Sequence, residues 1–134
     1  MSTDIFKLKE LEKLVGHRFN DPDVLRQALT HASLERSSWN VYERLEFLGD
    51  RVLGLVVSET LLKRFPNERE GQISRRYANL VKRDSLAIVA RKIKFGDYLL
   101  ISAGEEAAGA RESVTILSDA LEAVIGALYW DGGL

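Results

Sequence analysis

The 134-residue sequence is long enough for a single domain, 1–134, with a sizeable core, and 46% hydrophobic with 29% charged residues is a globular rather than a disordered composition. The absence of cysteine excludes disulfides, thiol nucleophiles and Cys-type zinc sites and is compatible with a cytoplasmic location, while a net charge of −1 argues against tight, non-specific nucleic-acid binding by this chain alone. No apolar run is long enough to span a bilayer, so no membrane association is expected, and Met1 to Glu10 lacks the apolar stretch of a signal peptide.

Taken in chain order, the pattern predicts an all-α chain of helices and short turns, with no strand series. Ile5, Leu8, Leu11, Leu14 and Val15 share one side of a first helix that Gly16 stops. Asp21-Pro22 reads as an N-cap followed by proline at the first helical position, opening a second helix through Val24, Leu25, Ala28 and Leu29. A polar stretch, Glu35 to Asn40, leads into a long third helix over about Val41 to Phe65, ended by Pro66. Gly49 and Gly54 lie inside it, each costing about 1 kcal/mol against alanine, the kind of glycine that permits close approach of another backbone. A loop, Asn67 to Gly71, precedes a fourth helix through Ile73, Tyr77, Leu80 and Val81. Asp84 is expected to cap a fifth, from Ser85 to about Ile93. The Gly- and Ala-rich segment Ala103 to Glu112 reads as a mobile loop, and a last helix runs from about Ser113 to Trp130. Gly132-Gly133-Leu134 looks like the start of a connection, so a truncated chain or an excised domain is expected.

Chemistry concentrates in two of these helices. Glu43, Glu46 and Asp50 fall at i, i+3 and i+7, within about 60° of one another on a helix. Leu45, Phe47 and Leu48 between them are apolar, so like charges are crowded beside a core-facing surface, where desolvation is costly. Asp119 and Glu122 repeat the i, i+3 spacing in a strongly apolar segment late in the chain. Two such helices facing each other would form an all-oxygen cage, and oxygen-only ligands favour Mg²⁺ or Mn²⁺ over zinc. A carboxylate-bridged redox bundle is disfavoured, because that chemistry uses Glu-x-x-His pairs and neither His17 nor His31 has a glutamate three residues before it. His31 reads as packed or capping, His17 as a surface residue, and Trp39 and Trp130 as packing residues.

The run Glu43-Arg44-Leu45-Glu46-Phe47-Leu48-Gly49-Asp50 resembles the signature of the ribonuclease III family of double-stranded-RNA endoribonucleases. Gln27 to Ser33, Glu70-Gly71-Gln72-Ile73-Ser74 and Ser118 to Ala123 agree with it in order and spacing. The resemblance implies an all-α endonuclease domain acting as a symmetric homodimer. It implies Mg²⁺-dependent hydrolysis of both strands of duplex RNA to 5′-phosphate and 3′-hydroxyl ends with short 3′ overhangs, in ribosomal-RNA precursor and messenger-RNA processing. Its metal-binding acids carry over onto Glu46, Asp50, Asp119 and Glu122, with Asp50 and Glu122 the most critical for chemistry. On this expectation Asp50 and Glu122 hold the metal that activates the attacking water, and Glu46 and Asp119 complete or orient its shell. Glu43 and Glu70 match acids lining the RNA valley, and Phe47 matches an aromatic residue at the dimer interface. A non-catalytic relative of the same fold is disfavoured because all four acids are present. Two departures stand out. This sequence stops before the double-stranded-RNA-binding domain that normally follows in the bacterial enzymes, as expected of a truncated chain, and Arg51 stands where many members have a small residue after the signature aspartate, where it could pair with a carboxylate or face phosphate. Arg75, Arg76, Lys82, Arg83, Arg91, Lys92 and Lys94 are further candidates for phosphate contact.

Overall fold

A computed structural model describes residues 2–34 and 40–134. It contains seven α-helices among them: α1 (Ser2–Val15), α2 (Pro22–Leu29), α3 (Val41–Arg64), α4 (Glu70–Val81), α5 (Arg83–Lys92), α6 (Ala103–Ala107) and α7 (Val114–Gly132). Among the described residues, the one sheet-like feature is a single parallel bridge between Thr30 and Leu100. The predicted all-α class therefore holds. The polar stretch from Glu35 and the Trp39 reading fall outside the described residues, which resume at Asn40.

Helix boundaries follow local chemistry. Asp21 accepts a hydrogen bond from the Asp23 amide at 3.1 Å, and Pro22 loses nothing by lacking an N–H where no helical partner exists. Ser113 caps α7 through the Ile116 amide at 3.3 Å. Phe65 closes α3, and Pro66 cannot continue it. Two expectations are corrected at this level. The fifth helix starts at Arg83, so Asp84 lies in its first turn instead of capping it, and α4 starts at Glu70, so Glu70 and Gly71 are helical instead of lying in the loop before it.

The segment Ala103 to Glu112 is also not the loop that its glycines and alanines suggest. Ser102 caps α6 through the Glu105 amide, and Ala110–Glu112 form a 3₁₀ turn. Arg111 fastens it by donating to the carbonyls of Gly96 and Leu99, both at 2.8 Å, and to Glu106 at 2.9 Å. Three charge-assisted bonds from one guanidinium outweigh the weak propensity of the flanking residues.

α7 is the axle. Leu117, Ala120, Ala123, Val124 and Ala127 are all essentially inaccessible, and the helix packs against α2, α3 and α5. Leu11, Leu25, Leu29 and Phe95 fill the surrounding core, each worth about 1.5–3 kcal/mol by burial. α4 has no fully buried residue and leans on α3 and α5, with Gly54 leaving room for the Tyr77 hydroxyl. Trp130, read as a packing residue, is 71% exposed near the end of α7, where it is the neighbouring Asp131 whose side chain turns toward His17 and the Asn20 and Asp21 amides.

The α3–α7 crossing is a backbone-on-backbone contact. A Cβ on Gly49 would overlap the Glu122 carbonyl oxygen and lie 2.9 Å from the Gly126 nitrogen. A Cβ on Gly126 would overlap the Leu45 carbonyl and come within 3.0 Å of the Gly49 nitrogen. Neither helix can move aside without unpacking the core. Gly49→Ala and Gly126→Ala are each expected to lower the stability to urea by about 3 kcal/mol or more, at or beyond the upper end of overpacking costs. Urea midpoints for the two variants, compared with a control Gly104→Ala at an open position, check this.

Candidate functional site

The close crossing fixes where the acids go. Leu45 and Gly49 face α7, so Glu46 and Asp50, one residue further on, flank the contact, with Glu43 one turn before. From the other helix, Asp119 and Glu122 arrive one turn apart, with the Glu122 carbonyl seated on Gly49 itself. Carboxylate oxygens of Glu46, Asp119 and Glu122 lie within 4.8 Å of one another. All five acids line one open depression, with Phe47, Arg51, Lys82, Arg83 and Leu86 completing its walls. The expectation that the two acidic helices face each other is met. Glu70 is not gathered in. It lies at the head of α4, where Ser74 donates to its carboxylate at 3.1 Å.

Crowding has an electrostatic consequence. Partial burial, then the charge of Asp119 and a hydrogen bond with it, and then Glu43 push the Glu46 carboxyl up to about 7, against a smaller opposing pull from Arg83. Partial burial, then a hydrogen bond with Asp50 and its charge, and then Glu46 and Asp119 push Glu122 up to about 8. The acids thus form two pairs, Glu46 with Asp119 and Glu122 with Asp50, each keeping a proton near neutral pH. Such pairs fit a hard divalent cation, which would replace both protons with charge that all the oxygens can share.

Tyr42 was not singled out from the sequence. It is 6% exposed, one turn before Glu46, and its phenol is raised by burial first and then by Glu46, Asp119 and Glu122. The i, i+4 spacing to Glu46 was the available signal. Arg51 takes the carboxylate side of its two readings. It donates to Asp50 at 3.4 Å and to the Phe47 carbonyl at 3.2 Å, and its guanidinium lies 3.6 Å over the Phe47 ring. Two of the basic candidates are engaged elsewhere, Arg76 in a two-pronged pair with Glu68 at 2.8 Å and Arg91 with the Glu112 carbonyl at 2.9 Å. Neither histidine reaches the acids. His31 bonds Ser33 at 2.8 Å, as a capping residue would, and His17 bonds Asp131 at 2.8 Å.

A family profile described as Ribonuclease-III-like matches residues 21–134. The chain belongs to this family. It is 46% identical to ribonuclease 3 of Histophilus somni over 96% of its length, and 48% identical to ribonuclease 3 of Ectopseudomonas mendocina over 95%. It spans only 56% and 54% of those relatives, a little over half of each. The nuclease domain of ribonuclease III from Campylobacter jejuni superposes with a TM-score of 0.85 at 45% identity, covering 95% of this chain and 85% of that one. The ribonuclease III nuclease-domain fold is thus shared, and the acids described above sit inside the matched region.

Metal-free stability should depend on pH with a definite sign. The folded pKa values of Glu46 and Glu122 are raised, so the folded chain binds these protons more tightly than the unfolded one. Their contribution is fully present below the ordinary glutamate value of 4.5 and is lost as pH rises through about 7 and 8. Melting temperature in chelator is expected to fall between pH 5 and pH 8.5, and the double variant Glu46→Gln, Glu122→Gln to flatten that fall. Calorimetry at several pH values measures both, and a wild-type curve that rises over this range would contradict the assignment.

Proposed function

We propose that this chain is the catalytic unit of an Mg²⁺-dependent endoribonuclease that hydrolyses both strands of double-stranded RNA. One observation carries the reading: carboxyl groups from α3 and α7 are gathered over an immovable helix crossing, with three of them within 4.8 Å, in a chain of the ribonuclease-III-like family. Glu46, Asp50, Asp119 and Glu122 would hold the cation, with Mn²⁺ able to substitute. When bound it supplies positive charge to the phosphoryl oxygens and makes water more acidic.

The side chains do the rest. Glu46 and Glu122 surrender their protons as the site fills. Asp50 and Glu122, as the principal catalytic pair, then accept hydrogen bonds from the attacking water, and Glu46 and Asp119 hold that pair in place. The water gives up one proton to solvent as its oxygen adds to phosphorus, the bond to the 3′ oxygen breaks, and that oxygen leaves as a hydroxyl after taking a proton from solvent. The products are 5′-phosphate and 3′-hydroxyl ends. The 2′-hydroxyl takes no part, and no imidazole is needed, consistent with His17 and His31 being engaged away from the acids.

A symmetric homodimer supplies two such sites, one for each strand, and a stagger between them leaves short 3′ overhangs. Phe47 supports this: it is 61% exposed, beside a groove lined by Val24, Val41, Leu48 and Trp130. Glu43 at the depression and Glu70 at the head of α4 would line the RNA path. A-form RNA presents phosphates and 2′-hydroxyls, so recognition is by shape. The cellular setting would be cytoplasmic processing of ribosomal-RNA precursors and structured messages, with a double-stranded-RNA-binding domain in the longer protein raising affinity.

Long duplex RNA incubated at low salt with Mg²⁺ and run on a denaturing gel tests the activity. Shortening of duplex but not of single-stranded RNA, abolished by chelator, is expected. Asp50→Ala and Glu122→Ala should each lose cleavage, by about 10³-fold or more, while circular dichroism stays helical; full activity in either would overturn the site assignment. Phe47→Ala should shift sedimentation from dimer toward monomer.

A further inference from the structure

The acidic depression has a basic rim that the acids alone do not explain. Arg83 stands at the first position of α5 with Lys82 before it, and both line the depression. Arg83 reaches across to α7. One guanidinium nitrogen donates to the Thr115 hydroxyl at 3.3 Å, and another lies 3.9 Å from an Asp119 carboxylate oxygen. Thr115 and Asp119 are one turn apart, so the guanidinium lies along the α7 face that supplies the metal-binding acid. The ion pair is long, and the Arg83 side chain is 62% exposed, against 24% for Asp119. A guanidinium has five N–H donors, and the Thr115 hydroxyl takes one of them. Arg51, the other guanidinium there, is stacked on Phe47 within its own helix and donates to the Phe47 carbonyl and to Asp50.

We infer that Arg83 has two alternating partners: Asp119 when the acids hold no cation, and a non-bridging oxygen of the RNA phosphate lying over the acids when they do. The inference rests on the nuclease reading for its second half only. Before a cation enters, Arg83 supplies part of the positive charge the acids lack. A divalent ion on Asp119 competes with that ion pair and releases the guanidinium. Its planar fork then matches a phosphate, which Lys82 and the N-terminal amides of the ten-residue α5 also favour. Arg83 is thereby a positioning residue for the phosphate and a competitor for the metal, two roles of opposite sign.

The opposition makes the test sharp. Without RNA, Arg83→Ala is expected to tighten Mn²⁺ binding about two- to fivefold, the scale of an exposed ion pair, measured by electron paramagnetic resonance. With a short duplex RNA, the same variant should raise KM about tenfold with a smaller change in kcat, and lessen the slope of log kcat/KM against log salt by about one. Arg83→Lys, which keeps the charge but loses the fork, should leave Mn²⁺ binding near wild type and recover only part of KM. A purely structural role would weaken both kinds of binding together. If the wild-type chain cleaves and Arg83→Ala matches it in Mn²⁺ affinity or in KM and salt slope, the inference is wrong. If the wild-type chain binds Mn²⁺ yet leaves duplex RNA intact, the nuclease reading fails, and the phosphate half of the inference falls with it.

Discussion

Everything distinctive in this molecule depends on two glycines meeting. Where α3 crosses α7, Gly49 lies against the Glu122 carbonyl and Gly126 against the Leu45 carbonyl. No side chain separates the helices there, so the positions immediately beside the crossing are brought closer than ordinary helix packing, at about 8–10 Å between axes, would allow. Each glycine costs about 1 kcal/mol of helix propensity. That cost is offset by the apolar surface that α7 buries on every side, with Leu117, Ala120, Ala123, Val124 and Ala127 fully enclosed.

The acids inherit their geometry from this contact, and their electrostatics from the geometry. Five carboxyl side chains around one depression would repel if all were ionised. The chain resolves the conflict in three ways. Each carboxyl pair holds a proton more tightly than a free carboxylate would. Two guanidinia, Arg51 and Arg83, each contact one acid. The remaining edge is open to water. None of these is a strong interaction, and each can be undone by a cation. A carboxylate that merely stabilised the fold would be fully satisfied by donors, as Asp131 is at the far end of α7, where it accepts from His17 and from the Asn20 and Asp21 amides.

How much of this was legible in the sequence follows from which signals are local. The helices, the cap at Asp21 and the acid spacing on α3 and α7 are periodic or short-range, and they appear as read. Gly49 announced a close approach, but its partner Gly126 belonged to a different segment and could not be matched to it from spacing alone. The order of Ala103 to Glu112 was missed because Arg111 makes its bonds to carbonyls up to 15 residues away, and no local pattern encodes them. Trp130 was misplaced for a related reason: a tryptophan in an apolar helix looks buried until Asp131 beside it is seen to take the inward position. Arg51 was undecidable in sequence, because both of its readings require knowing which way Phe47 faces.

The overall charge of −1 averages over a surface on which charges of the two signs are segregated. Acidic side chains converge where α3 meets α7, while Lys82 and Arg83 occupy the adjoining rim at the start of α5. The same depression therefore offers carboxylates to a cation and guanidinium and ammonium donors to an anion. A phosphodiester accompanied by a divalent ion satisfies both walls at once, whereas either alone leaves one wall uncompensated. On the proposed reading, affinity at such a place would come from the pairing of metal and phosphate rather than from net charge, and a nearly neutral chain would act on a polyanion without being drawn to every polyanion it meets.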